Sequence, residues 1–330
     1  MPHRYMLKIK DKNEDESVLS TEQNHQQLLL SDVPFQIPTS GQAQRLFHGR
    51  SHVYQGYEHI AIDWLSPVLL ITLYKEVDIS ELQLLAEKLF SIVDECTSVQ
   101  VQYRYQQTGP IELLVGEPCT TTIVEEHGLK YQITLGRAQN TGLFLDMKNG
   151  RDWVKNNAQD ARVLNLFSYT CAFSVAAIAG NAASVFNIDM SKPSLATGRD
   201  NHRLNGHDTS KVKFDSLDIF KSFGRIKKHG PYDLLICDPP SFQKGSVDIK
   251  RDYKKIIRRI PEFMNPNSVL MLCLNSPDLD TEFLKQTVAD ECADCHYLSE
   301  IYPPAIFKNA VEKQGLKVLI YRYAGQKHEP

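Results

Sequence analysis

No stretch of the 330 residues approaches the ~20 consecutive apolar positions that a membrane-spanning helix needs. The longest apolar runs, Val68 to Leu73 and Val269 to Leu274, are strand-sized. Met1-Pro2-His3-Arg4 leads into polar sequence without an apolar segment, so no export signal is expected. Neither sign of charge dominates: 37 Lys+Arg stand against 40 Asp+Glu, a net −3. No global field therefore attracts phosphate, and a nucleic-acid partner would require a local basic patch. The cysteines number only seven, an odd count scattered through the chain. That usage suits reduced thiols in a cytoplasmic protein and not a disulfide framework. Internal repeats and low-complexity segments are missing. No G-x-G-x-x-G follows any strand, which removes the fingerprint of a nicotinamide-dependent oxidoreductase.

What is present suffices for a sizeable core, with 42% apolar and 23% charged residues. The length suggests two domains. Residues 1–40 are polar and interrupted by Pro34 and Pro38, and they read as an arm or a packed extended segment. Residues 41–140 combine a β-rich run at Val68 to Tyr74 with a helical pattern over Ile79 to Val93. Alternating runs follow at Val99 to Tyr105, Ile111 to Val115, Thr120 to Val124 and Leu129 to Leu135. This is the pattern of a small α+β domain. Beyond residue 150 the rhythm changes. Short apolar strands at Val163 to Phe167, Ser184 to Ile188, Val212 to Phe214, Asp233 to Cys237 and Val269 to Leu274 alternate with helical stretches, including Ala172 to Ala179, Lys192 to Leu204 and Ile249 to Met264. That alternation predicts an α/β fold with a doubly wound, mostly parallel sheet over residues 141–330.

Ligands of such sheets sit beyond the carboxyl ends of the strands. The residues there are Ser168-Tyr169-Thr170-Cys171 after the first strand, Asp189 after the second, Asp218 after the third, and Asp238-Pro239-Pro240-Ser241-Phe242 after the fourth. A carboxylate after the second strand can accept from both hydroxyls of a ribose, and one after the third can accept from an adenine amine. Each is also a common helix cap, so it is the order of three acids that carries weight. Two prolines fix the backbone behind Asp238, turning carbonyls outward as acceptors, and Phe242 offers a stacking face to a planar base.

The runs Asn140-Thr141-Gly142-Leu143-Phe144-Leu145-Asp146, Leu164-Asn165-Leu166-Phe167-Ser168-Tyr169-Thr170, Asp189-Met190-Ser191, Asn201, Asn205-Gly206 and Asp238-Pro239-Pro240-Ser241-Phe242 resemble the class I S-adenosylmethionine-dependent methyltransferases. They are most similar to the bacterial 23S ribosomal RNA large-subunit methyltransferase group, and Glu125-Glu126-His127 matches a stretch near its domain junction. The resemblance spans roughly residues 45–325. It implies a Rossmann-like seven-stranded sheet, S-adenosyl-L-methionine as cofactor, and RNA, ribosomal or in a ribosomal particle, as partner. By that resemblance Thr141, Gly142, Phe144 and Asp146 line the methionine end of the cofactor. Phe167, Ser168, Tyr169 and Thr170 form the loop beneath it, Asp189 takes the ribose and Asp218 the adenine amine. Arg151 would pair with the cofactor carboxylate. Asp238, Pro239, Pro240 and Phe242 would receive the target base next to the methyl group, with Asp238 also among the cofactor-binding residues.

Two departures from that group carry information. Cys171 stands where the group has a glycine, at a place where positive φ is expected. Asn275 stands where members that methylate cytosine C5 carry a cysteine after the fifth strand. Cys273 lies two residues earlier and is expected within the strand. C5 chemistry needs an attacking thiolate, so a nitrogen acceptor is expected here. In the stretch 249–264, Lys250, Lys254 and Arg258 form one i,i+4 row and Arg251, Lys255 and Arg259 the next. These could neutralise phosphates, although a solvated helix face has the same pattern. Cys292-Ala293-Asp294-Cys295-His296 matches a haem-attachment spacing. It continues a helical pattern with Phe283, Leu284 and Val288, lacks a second ligand pair for zinc, and reads as thiols on a helix. No metal is expected. The rival readings are a methyltransferase fold that binds RNA or a ribosome without turnover, and an enzyme acting on a protein or small molecule.

Overall fold

The computed structural model describes residues 29–240, the backbone of 242–243, and residues 247–310 and 315–325. Leu30 and Val33 are buried and belong to the core that surrounds the first helix, so the chain from residue 29 is packed. Five strands form the first sheet: β1 (Gln44–His48), β2 (Ile60–Leu65), β3 (Val68–Leu73), β4 (Ser98–Tyr103) and β5 (Ile111–Gly116), in that spatial order. All neighbours are antiparallel except β3 and β4, which are parallel and joined by helix α1 (Ile79–Ile92). Asp78 caps α1 by accepting from the Ser80 and Glu81 amides. Leu82, Leu85, Ala86 and Leu89 bury its inner face against one side of the sheet, whereas Ile79 at the first turn is exposed.

A hairpin follows, β6 (Thr121–Glu126) and β7 (Leu129–Thr134). Helix α2 (Lys148–Asn157) then leads into β8 (Arg162–Leu166), α3 (Ala172–Ala179), β9 (Ser184–Asp189), α4 (Lys192–Leu204), β10 (Val212–Ser216), α5 (Phe223–His229) and β11 (Tyr232–Cys237). Two-residue strands β12 (Phe242–Gln243) and β13 (Val247–Asp248) pair with each other. After them come α6 (Ile249–Ile257), α7 (Ile260–Phe263), β14 (Met264–Asn275), α8 (Thr281–Glu291), β15 (Cys295–Ile301) and β16 (Leu316–Tyr323).

The second sheet has seven strands in the order β10-β9-β8-β11-β14-β16-β15. It is parallel apart from β16, which runs antiparallel to both neighbours. The expected doubly wound sheet is present. Its winding reverses between β8 and β11, so the carboxyl ends of β8, β9, β10, β11 and β14 open on one edge at the switch point. One core layer places α2 and α3 on one face of this sheet and extends to Leu65 and Leu70 of the five-stranded sheet. The other face is covered by α6, α7 and α8.

Two local expectations are corrected. The helical stretch 249–264 is not continuous: α6 ends at Ile257, Pro261 stands in the short α7, and Met264 already begins β14. A proline cannot supply the amide that a continuing helix needs. Cys292 and Cys295 do not share a helix either. Cys292 caps the end of α8 and Cys295 opens β15, with the two sulfurs 3.0 Å apart.

Candidate active site

The loop leaving β8 is wound tightly. Phe167, Tyr169 and Cys171 all have positive φ, at 57°, 45° and 60°. Local bonds over-determine the shape. The Ser168 amide donates to the Ile188 carbonyl and the Cys171 amide to the Ser168 carbonyl, at 3.1 and 2.7 Å. The Thr170 hydroxyl donates to the Gly142 carbonyl at 2.6 Å, and Asn201 Nδ2 donates to the Thr170 carbonyl at 3.0 Å. Cys171 thus takes the conformation expected of glycine, which costs an L-residue roughly 1–2 kcal/mol. Its side chain is fully buried, and burial pushes the thiol up to about 12. The room for it comes from Gly198 on α4, where a Cβ would meet Cys171 Sγ at 2.5 Å. Cys171 is a packing residue of the loop.

Asp189 ends β9. Its Oδ2 accepts the Tyr169 amide at 2.9 Å and its Oδ1 the Ser191 amide at 2.7 Å, so the carboxylate is held rigid while lone pairs remain. Asp218 follows β10, accepts the Phe220 amide and pairs with Lys221 at 3.3 Å. Both are helix or turn caps as well as cavity residues. Together with Gly142, Phe144, Asp146, Arg151, Phe167, Ser168, Tyr169, Thr170, Asp238, Pro239 and Pro240 they line one cavity of about 390 Å³. Thr141 lines a neighbouring cavity instead; its carbonyl is tied to the Thr134 amide. The side chain of Phe242, like Ser241, lies outside the described residues.

Asp238 differs from the other two acids. It accepts no hydrogen bond from any described residue, and its carboxyl is pushed from 3.8 up to about 7. Burial is the main cause and the nearby Asp146 carboxylate the second, with Arg151 opposing them. Asp146 is itself raised by burial. Arg151 is buried and already forked onto Glu126, with Nε to Oε1 and Nη2 to Oε2 both at 2.7 Å. Only its Nη1 is without a protein partner among the described residues, which narrows what it can offer a cofactor carboxylate. This pair ties the end of β6 to α2. The hairpin is tied again from the other side, because Asn201 Oδ1 accepts the Gln132 amide and Asn205 Oδ1 the Lys130 amide.

No cysteine lines the cavity among the described residues. Cys273 and Cys237 lie inside strands, fully buried, with burial raising both thiols. Asn275, exposed at the end of β14, occupies the cavity wall. Sequence reading assigned no role to Met190, Ser194 and Phe220, which also line the cavity; Met190 stood in the quoted run after Asp189, and the signal for Ser194 and Phe220 was closeness to the strand-end acids. Of the six cations around α6, four are engaged. Arg251 and Lys255 hold Asp252, Arg258 holds Glu291 and Arg259 holds Glu262. Lys250 and Lys254 have no carboxylate partner among the described residues. No cluster of metal-ligating side chains occurs among the described residues, nor does any helix long and apolar enough to cross a membrane.

The donor and acceptor set fits a nucleoside cofactor. Asp189 presents a fixed carboxylate beside the left-handed loop, Asp218 a second acceptor one strand further, and the volume lies within the usual ~300–1,000 Å³ of small-molecule sites. Comparison with known proteins points the same way. Residues 44–322 match the model of the S-adenosylmethionine-dependent methyltransferases. Ribosomal RNA large subunit methyltransferase I of Erwinia tasmaniensis is 35% identical over 175 residues, 52% of this chain and 44% of that protein. The protein of the same description from Aliivibrio fischeri is 31% identical over 227 residues, 65% and 57% respectively. The chain therefore spans about half the length of these curated relatives. Among solved structures, a Streptococcus mutans chain described as a SAM-dependent methyltransferase superposes with a TM-score of 0.77 at 26% identity, covering 86% of this chain and 76% of that one. The tRNA m1G37 methyltransferase of M. jannaschii shares the fold, with a TM-score of 0.60 at 16% identity over 79% and 73%. With a matching family model across most of its length, the chain belongs to the S-adenosylmethionine-dependent methyltransferase family.

Proposed function

We propose that this chain methylates a nucleobase of RNA, ribosomal RNA of the large subunit, at a ring or exocyclic nitrogen. The observation carrying this reading is the end of β11: Asp238 with Pro239 and Pro240 forms an acceptor-rich wall in the same cavity as Asp189 and Asp218, and no thiol reaches that cavity. The cofactor, when bound, supplies an electrophilic methyl carbon. Asp189 accepts from the ribose hydroxyls and Asp218 from the adenine amine, while the loop Phe167 to Thr170 and the segment Gly142 to Asp146 enclose the remainder. Asp238 accepts from the donor edge of the target base, fixing its nitrogen lone pair on the methyl group, so that rate comes from alignment. A carboxyl that titrates near neutrality can also take the proton released by an amine. Absence of a thiolate argues against cytosine C5.

The curated relatives support large-subunit ribosomal RNA as the substrate class. Lys250 and Lys254 are the members of the α6 row left available for phosphate. A flipped or unstacked base would enter beside Asp238. All seven cysteines are free, which supports a reducing, cytoplasmic setting. The test is transfer of labelled methyl from S-adenosylmethionine to total RNA of cells lacking the gene, followed by nuclease digestion. Label on one nitrogen-methylated nucleotide supports the reading. Label on protein only, or on cytosine C5, would overturn it.

A further inference from the structure

A second cavity of about 410 Å³ opens between the five-stranded sheet and the carboxyl edge of the seven-stranded one. It meets the first along Asn140, Gly142, Phe144, Asp146, Tyr169 and Asn275, which line both. A ligand lying in it reaches the cofactor cavity without leaving the protein. Its outer wall is basic and assembled from distant segments: Arg45 on β1, Arg50 just after it, and Arg104 after β4. The only carboxylates lining it among the described residues are Asp63 and Asp146.

These arginines are not equivalent. Arg45 is consumed, since it forks onto Asp63 and donates from Nη1 to His48 Nδ1 at 2.6 Å. That bond leaves Nδ1 as acceptor, and burial with the charges of Arg45 and Arg50 pushes the His48 imidazole down from 6.5 to about 3, so it is neutral near pH 7. Arg45 is therefore scaffolding. Arg50 is exposed, lies 4.1 Å over the Tyr74 ring, and has no carboxylate partner among the described residues. Arg104 donates to the Gln139 carbonyl at 2.6 Å and also has no carboxylate partner among them. Two guanidinium groups are thus held in place by a ring and a carbonyl and paired with no described carboxylate, which is the arrangement that suits a phosphate. At the junction, Phe144 is 40% exposed and its ring centre is 5.6 Å from that of Tyr169. The pair offers unstacked bases an aromatic face between the arginines and Asp238.

We propose that this second cavity holds the phosphodiester chain flanking the target nucleotide, with Arg50 and Arg104 as its phosphate contacts; the inference rests on the RNA reading above. The probe is a labelled single-stranded RNA oligonucleotide of mixed sequence, bound to the full chain across a potassium chloride series. Wild type is compared with Arg50→Gln, Arg104→Gln and the double variant, and S-adenosylmethionine affinity is measured on each to verify the fold. Each phosphate contact contributes about 0.7 to the slope of log K against log salt on single strands. The double variant should therefore bind with a slope shallower by about 1.4, with cofactor affinity within twofold of wild type. A wild-type slope in the double variant, with RNA still labelled by the enzyme, would overturn this inference and leave the RNA reading standing. Full competition by an equimolar nucleoside monophosphate would overturn it in favour of a small anion. If wild type shows no salt-dependent RNA binding and labels no RNA, both readings fall together.

Discussion

The two cavities meet along one strip of residues but are built on opposite principles. In the first, charge comes from carboxylates at the ends of consecutive parallel strands, and two of them are clamped by backbone amides. Asp189 holds two such amides and Asp218 one. In the second, charge comes from arginines brought together from β1, the turn after it, and the end of β4. Strand ends in a doubly wound sheet are a fixed address, so acceptors there are positioned by topology alone. The arginines have no such address and are held by partners from other segments: the side chains of Asp63 and Tyr74 and the backbone carbonyl of Gln139. The first cavity suits a neutral or cationic ligand rich in hydroxyl and amine donors. The second suits an anion.

The hardest break in this division should come at Asp238, the one of these three acids that no amide of a described residue holds. Asp238→Ala should lower methyl transfer by about three orders of magnitude, the range of a lost positioning or proton-accepting group. It should leave cofactor affinity mostly intact and the salt slope of RNA binding unchanged. Parallel loss of cofactor affinity would show that Asp238 serves the cofactor instead. Because the carboxyl is pushed up to about 7, wild-type transfer should rise with pH through that value, and Asp238→Asn should flatten the profile. The stability linkage has the opposite sense. A raised acid binds its proton more tightly in the folded chain, so its stabilising effect is full below its ordinary 3.8 and is lost as pH climbs through about 7. Melting temperatures of Asp238→Asn against wild type across that window test the sign.

The second break affects both cavities, because the hairpin carrying β7 leads directly into the strip they share. Glu126→Gln leaves the buried Arg151 without a countercharge and with one arm of its fork facing an amide NH2, and removal of one partner of a buried pair costs about 3–5 kcal/mol. At ~2–4 °C per kcal/mol for chains of this order, the melting temperature should drop by roughly 10 °C. Cofactor affinity and RNA binding should weaken together in this variant. A variant that melts like wild type would mean that Arg151 finds another partner.

How far the sequence foretold all this follows the same division. The strand-end acids could be read directly, since alternating strands and helices define where the ligand edge must be, and the structure gathers Asp189, Asp218 and Asp238 there. The loop beneath them could be read as far as its backbone, and Cys171 occupies the left-handed conformation that the glycine position implied. What could not be read depends on separation along the chain. Arg45 and Arg104 are separated by most of the five-stranded sheet, and nothing in their local sequence says that they share a wall. Glu126 looked like part of a family motif and proved to be the buried partner of Arg151, 25 residues away. The basic row on α6 was visible, but its neutralisation by Asp252, Glu291 and Glu262 depends on where α6, α7 and α8 pack. Pro261 was the one local sign that the row could not run on as a single helix.

The mildest prediction concerns the packing of α4 behind the loop that leaves β8. Gly198→Ala would drive a Cβ into Cys171, 2.5 Å from Sγ and 2.9 Å from Cβ, with the Thr170 carbonyl 3.3 Å away. Overpacking of this kind costs about 1–3 kcal/mol, and the neighbour that must shift is the loop leaving β8 that lines the first cavity. Gly198→Ala alone should therefore lower both stability and cofactor affinity. Cys171→Gly alone should change affinity little, since glycine takes the same positive φ without strain and the thiol's contact to the Tyr169 carbonyl, at 3.8 Å, is long. The double variant removes both clashing atoms, so it should recover most of the loss, a coupling of about 1 kcal/mol or more in a double-mutant cycle. Purely additive losses would mean that α4 moves as a body and the loop does not depend on Gly198. Recovery of stability without recovery of cofactor affinity would instead give the thiol a direct part in holding the ligand. Neither residue lines either cavity itself, so the effect should pass through the loop, whose Phe167, Ser168 and Thr170 line the first cavity alone and whose Tyr169 lines both.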